Sequence, residues 1–163
     1  RTKKALTDNK LLIKEFWTEL LNHSNSKTKL FSNINPSTNS FINKTTGVSG
    51  LIYVYVTRKS SSNIELYIDK GFAKGPLNEH EDFGKQNLEI FEYFYSKKNE
   101  IESSFKNKLV WEKLENRRAC RISFVINGGY ASDKDKWPVI HEKLVNNMIS
   151  FSDLLKPFIK KIK

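Results

Sequence analysis

One stretch constrains this chain more than any other: Ile64-Glu-Leu-Tyr-Ile-Asp-Lys70 alternates without a break. Ile64, Leu66 and Ile68 point one way, and Glu65, Tyr67 and Asp69 point the other. A period of two is the mark of a half-buried β-strand, because successive side chains leave opposite faces of the sheet. The apolar side predicts core. The other side carries two carboxylates and a phenol, with Lys70 at the strand end, so chemistry on the sheet is expected there.

Leu51 to Thr57 supplies a partner strand across a polar turn at residues 60–63. Ile52, Val54 and Val56 are expected to share the core face with Ile64, Leu66 and Ile68. That pairing leaves Tyr53, Tyr55 and Thr57 beside Glu65, Tyr67 and Asp69, with Arg58 and Lys70 at the ends. Upstream, Thr7 or Asp8 can cap a first helix to about Asn22, with Ile13, Trp17, Leu20 and Leu21 on one face and Phe16 beside them. Residues 24–50, rich in Ser, Asn, Thr and Lys, read as a long connection that packs down through Leu30, Phe31, Ile34, Phe41 and Ile42.

Downstream, Gly71 to Pro76 reads as a loop, and a helical region spans about Asn78 to Phe105 with a break near Lys98-Asn99. A second hairpin pairs Leu109–Leu114 with Ala119–Ile126 across a charged turn at 115–118. Trp137-Pro138 opens a last helix with a stripe of Ile140, Leu144, Met148, Phe151, Leu155 and Phe158. Pro157 should bend or fray its end. The order helix, hairpin, helix, hairpin, helix predicts an α+β fold: a four-stranded antiparallel sheet from two hairpins, with helices packed on one face. The opposite face of such a sheet can stay wet. The 163 residues suit a single domain, and a start at Arg1 reads as the C-terminal part of a longer protein.

Composition narrows the class. With 38% hydrophobic and 28% charged residues the chain is globular, and no apolar run is long enough for a membrane span. A lone cysteine, Cys120, makes no internal disulfide, and 3 histidines offer no zinc-ligand spacing. A cytoplasmic setting is expected. The net charge of +10 invites nucleic acid, yet its distribution tempers that reading. Residues 1–10 carry a net +3 and residues 154–163 a net +4, so seven of the ten charges lie at the two ends.

Two constellations could carry function. Tyr53, Tyr55 and Tyr67 beside Arg58, Lys70, Arg117, Arg118 and Arg121 would let bases stack on phenols while guanidinium groups take phosphates. Alternatively, Glu65, Asp69 and Glu112 could hold Mg²⁺ in a metal-dependent nuclease. The usual Glu-x-Lys of such nucleases is absent, since Tyr67 stands where the lysine belongs. Cross-strand ion pairing of Glu65 or Glu112 with Arg121 is the structural counterpart of that reading. The histidines lie on helices or helix starts with no Ser or Cys nucleophile nearby, and no Gly-rich phosphate loop is present.

Phe16-Trp-Thr-Glu-Leu-Leu21, Gly47-Val-Ser-Gly50, Ile64 to Lys70, Trp111 to Ile122, Trp137-Pro138 and Lys156-Pro-Phe-Ile-Lys160 together resemble one uncharacterised domain family. That family sits at the C-terminal ends of restriction-type endonucleases and defence-associated proteins of prokaryotes. The resemblance implies an accessory module beside an upstream nuclease domain, with Glu65, Tyr67, Arg118 and Arg121 as a shared surface. The expected function is therefore recognition or positioning of DNA or other nucleic acid, without catalysis and without a cofactor. A metal-dependent nuclease and a protein-interaction or dimerisation module, including a homo-oligomer, are the alternatives.

Overall fold

The computed structural model describes residues 2–72, 82–113 and 119–162. In chain order these form α1 (Lys3–Asn25), β1 (Phe41–Thr45), β2 (Leu51–Thr57), β3 (Ser61–Ile68), α2 (Phe83–Ser96), α3 (Lys98–Phe105), β4 (Val110–Lys113), β5 (Cys120–Asn127) and α4 (Trp137–Ile159). The strands make an antiparallel sheet in the order β1-β2-β3-β5-β4. The expected turn at 115–118, the loop beyond residue 72 and His80 lie outside the described residues.

The α+β class holds, but the described residues form a sheet of five strands and not four, and four α-helices in place of the expected three. The extra strand, β1, sits inside the stretch read as a long connection. Phe41-Ile-Asn-Lys-Thr45 buries only Ile42, so it shows no alternation to read. Backbone bonds hold it instead: Thr57 N–H donates to the Ser40 carbonyl at 2.8 Å and Thr46 N–H to Leu51 at 3.0 Å. The fourth helix arises because the region to Phe105 divides at Lys97, whose φ of −104° and ψ of 10° leave the helical range. The start of α1 also moves. Thr2 caps it, accepting from Ala5 N–H at 3.2 Å, while Thr7 bonds back to the Lys3 carbonyl inside the helix.

The chain forms two compact units, each discontinuous in sequence. The first comprises residues 1–44, 54–64 and 125–149. In it, Phe16 of α1 meets Trp137 and His141 of α4 edge-on, with ring centroids 5.2 and 4.4 Å away. Trp17 is fully buried and donates its indole N–H to the Asn39 carbonyl at 2.7 Å, tying the connection after α1 to that helix. The β2–β3 turn closes through Arg58 N–H to Ser61 O, 2.8 Å. Gly129 lies against this turn so closely that a Cβ would fall 1.9 Å from the Arg58 carbonyl oxygen.

The hairpin register corrects the expected faces. Thr57 and Ser62 share a face, their hydroxyl oxygens 3.0 Å apart. By alternation, Tyr55 then lies with Ile64, and Tyr53 with Leu66. The phenols therefore join the apolar side of β3, not its acidic side.

The second unit comprises residues 45–53, 65–124 and 150–163. Phe105 packs edge-on between Phe124 of β5 and Phe151 of α4, at 5.2 and 5.9 Å. Asp69 works as a joint. Its Oδ1 accepts from Gly71 N–H at 3.0 Å and from the Asn87 amide at 3.2 Å, while Asn87 Oδ1 accepts from Lys70 N–H at 2.7 Å. Gly50, at φ +82°, fits against this joint, where a Cβ would lie 2.6 Å from the Lys70 Cα and 2.7 Å from the Asp69 carbonyl oxygen. Cys120 is a buried free thiol, pushed up in pKa by that burial.

Gly50→Ala combines a left-handed φ with backbone overlap, so it should destabilise the protein by about 2–4 kcal/mol in urea unfolding. A near-neutral result would contradict the close approach. His141 gives a pH test. Burial, then the neighbouring His23, pulls its imidazole from 6.5 down to about 4. The unfolded chain binds this proton first, so the contribution is complete above pH 6.5 and falls away as pH drops towards 4. On the order of 3 kcal/mol should be lost across that window, and His141→Phe should flatten the slope. Equal slopes in both proteins would contradict the assignment.

Candidate nucleic-acid interface

The residues expected to form a recognition face are dispersed. Tyr53 is buried and donates its hydroxyl to the Ser152 carbonyl of α4 at 3.4 Å. Burial, then the Asp153 charge, raises its pKa to about 12. Tyr55 is 1% exposed, packs on Phe31 at 4.8 Å and is raised further still by burial. Neither phenol can stack a base, since each already lies within the core. Tyr67 is half-buried, with its ring 6.3 Å from Phe72. Arg58 is exposed and donates to Asn63 Oδ1 at 2.7 Å. Lys70 is half-buried at the Asp69 joint. Arg117 and Arg118 lie outside the described residues.

Glu65, Glu112 and Arg121 do come together. The antiparallel register of β4 and β5 sets Glu112 opposite Arg121, whose Nε donates to Glu112 at 3.1 Å and whose second nitrogen does so at 3.4 Å. A third nitrogen stands 3.8 Å from Glu65, a carboxylate only 4% exposed. This is the cross-strand ion pairing. Asp69 is engaged by Gly71 and Asn87 instead, and among the described residues no three His, Cys, Asp or Glu side chains gather as a metal site. The arrangement gives metal-dependent cleavage no carboxylate cluster within those residues. It also occupies Arg121 with acids, where a phosphate reader would need it open.

A different surface has the right materials. At β4, the strand that ends the sheet order, Trp111 meets Phe91 and Tyr95 of α2 edge-on at 6.3 and 5.6 Å. Phe91 and Tyr95 are themselves stacked, 6.0 Å apart and 24° from parallel. Trp111 is held by its indole N–H, which donates to Glu102 Oε2 at 3.1 Å, and Leu109 N–H shares that oxygen at 2.7 Å. Burial pushes the Glu102 carboxyl up, but these two hydrogen bonds and nearby lysines bring it down overall.

These rings line a cavity of about 390 Å³ with Glu92 and Lys113, whose ion pair is 2.6 Å long. Lys113 sits 5.8 Å from the centre of the Phe91 ring, and Lys98 sits 5.3 Å from that of Tyr95. Tyr95 is 45% exposed, so part of the aromatic cluster reaches the surface. Sequence reading missed this groove because Phe91 and Tyr95, four residues apart in a helical region, have the spacing of a core-facing stripe. The usable signal was Trp111 and Lys113 two apart on one strand face.

The fold and groove define an antiparallel α+β domain with an aromatic, lysine-flanked edge. Residues 12–159 match the family described as a domain of unknown function, DUF4268, and the chain belongs to it. No curated protein and no solved structure matches the chain. Among the described residues no helix is long and apolar enough to cross a membrane.

Arg121→Ala would leave the buried Glu65 without this counter-charge, so it should cost about 2–4 kcal/mol of stability in urea unfolding. A loss below about 0.5 kcal/mol, the range of an ordinary surface change, would show that the triad does not support the sheet.

Proposed function

We propose that this domain is a non-catalytic accessory module that recognises or positions nucleic acid, through the groove between α2 and β4. The observation that carries the reading is the exposed Tyr95 ring beside Trp111, with Lys98 and Lys113 over the aromatic faces. Aromatic rings at a cationic rim suit unpaired bases, which offer a π-face to stack while Lys98 meets an adjoining phosphate and Lys113 stays paired with Glu92. A cavity near 390 Å³ has room for a base but not for a duplex. The preferred substrate is therefore single-stranded or locally unpaired.

The resemblance to modules at the ends of restriction-type and defence nucleases supports an attached upstream nuclease as the partner that would cut. On this reading the module holds the strand and supplies no metal. The lysine-rich segments 1–10 and 154–163 add attraction over a longer range, which salt screens.

Fluorescence anisotropy with single-stranded and duplex oligonucleotides at two salt concentrations tests the reading. Single strands should bind more tightly, with affinity falling steeply as salt rises. Tyr95→Ala should weaken that binding by roughly 5- to 100-fold, the range of one lost base–ring stack. Its 45% exposure makes it a substitution the fold should tolerate. Unchanged affinity would remove the groove as the site.

A further inference from the structure

The first helix keeps most of its charges apart. Lys3, Lys10 and Lys14 follow one another at intervals of seven and four, so they share one edge of α1 within an arc of about 40°. Asp8, Glu15 and Glu19 repeat those intervals five residues later, on an edge about 140° away. Lys4 lies between the two edges, four residues before Asp8. The three lysines and three acids of the two edges are all exposed. Lys10 with Lys14, and Glu15 with Glu19, are like-charge pairs four residues apart, which weaken a helix where alternating signs would support it. Lys134 answers part of the acidic edge, its ammonium donating to both Glu15 carboxylate oxygens at 2.8 and 2.7 Å. Among the described residues Lys3, Lys10 and Lys14 have no ion pair. The row works against its own helix and gains no contact inside the fold.

Beside the basic edge runs a segment without acids. Trp17, three residues after Lys14, donates its indole N–H to the Asn39 carbonyl at 2.7 Å, which draws the chain around Asn39 to that side of α1. Thr38 and Asn39 are exposed there and carry hydroxyl and amide donors. From residue 20 to residue 64 the chain holds no Asp or Glu.

We propose that this basic edge, with Thr38 and Asn39 beside it, binds the sugar–phosphate backbone of double-stranded nucleic acid. The lysine row runs for roughly 16 Å along the helix, and a duplex presents about one charge per 1.7 Å of its axis, so the row meets several phosphates. A convex helix edge has no slot for a base, so the contact goes to phosphates and does not depend on sequence. An anionic membrane suits α1 less. Its apolar face (Ile13, Phe16, Trp17, Leu20 and Leu21) is buried in the core, and the exposed Leu6 and Leu11 lie about 140° apart. The surface rests on the nucleic-acid reading but not on the groove beside α2.

Duplex affinity of the full chain, measured by anisotropy across a salt series, tests the proposal. Lys3→Gln, Lys10→Gln and Lys14→Gln combined should lower that affinity about tenfold or more at low salt and flatten the slope of log K against log salt by about 2–3. The melting temperature should hold or rise, because the Lys10 and Lys14 repulsion is gone. A charge-matched variant at exposed lysines elsewhere, Lys85→Gln, Lys136→Gln and Lys143→Gln, should change the slope by less than about one. Equal losses in the two variants would reduce the effect to net charge and overturn the proposal, as would a wild-type chain that binds no duplex. Anionic vesicles bound through the same three lysines, with duplex ignored, would give the edge to a membrane instead. If duplex binding needs these lysines while Tyr95→Ala leaves single-strand binding intact, the edge stands and the groove falls. The reverse pattern overturns the edge and leaves the groove.

Discussion

The register of the β2–β3 hairpin decides what the rest of the sheet can be. A contact between two small hydroxyls, Thr57 and Ser62, marks which side chains share a face. Because side chains alternate, a shift by one residue would exchange every face along both strands. In the register observed, Tyr53 and Tyr55 join Ile64 and Leu66 under the helices, and Glu65 stands on the opposite face with Arg121. Core and surface chemistry follow from that one alignment. The joint at Asp69, Asn87 and Gly50 then fixes how the strand hands over to α2.

Periodicity carried much of the architecture. The stripe from Ile140 to Leu155 marks α4 because each of those residues meets the core. The alternation in β3 marks a strand for the same reason. β1 escaped because an edge strand with one buried residue is held by backbone bonds, which leave no pattern in side-chain type. The face pairing escaped because alternation fixes each strand against itself, while register between strands depends on turn geometry. Tyrosine compounds the difficulty. Its ring packs in a core as readily as it stacks on a surface, and only its surroundings tell the two apart.

The candidate site shows the same limit. Glu65, Glu112 and Arg121 were legible as cross-strand partners, since opposite charges at matched positions on adjacent strands attract. Their roles were not legible: the acids occupy the arginine that a recognition face would have used. The groove at Tyr95 and Trp111 joins a helix to a strand 16 residues downstream. Such a pairing exists only once α3 has turned the chain back, so local spacing does not reveal it. Both cavities beside α2 are built this way. The helix gives one wall to the aromatic groove and, on its other side, one wall to a cavity lined by Gln86, Glu89, Ile90 and Tyr93.

The central claim is that nucleic acid engages the protein beside α2 rather than on the tyrosines of β2. Photocrosslinking of the full chain to a single-stranded oligonucleotide carrying a photoreactive base, followed by peptide mapping, tests this directly. The account predicts crosslinks at Tyr95 and Trp111, in the peptides of α2 and β4. Crosslinks confined to the lysine-rich ends, or none in those two elements, would contradict it.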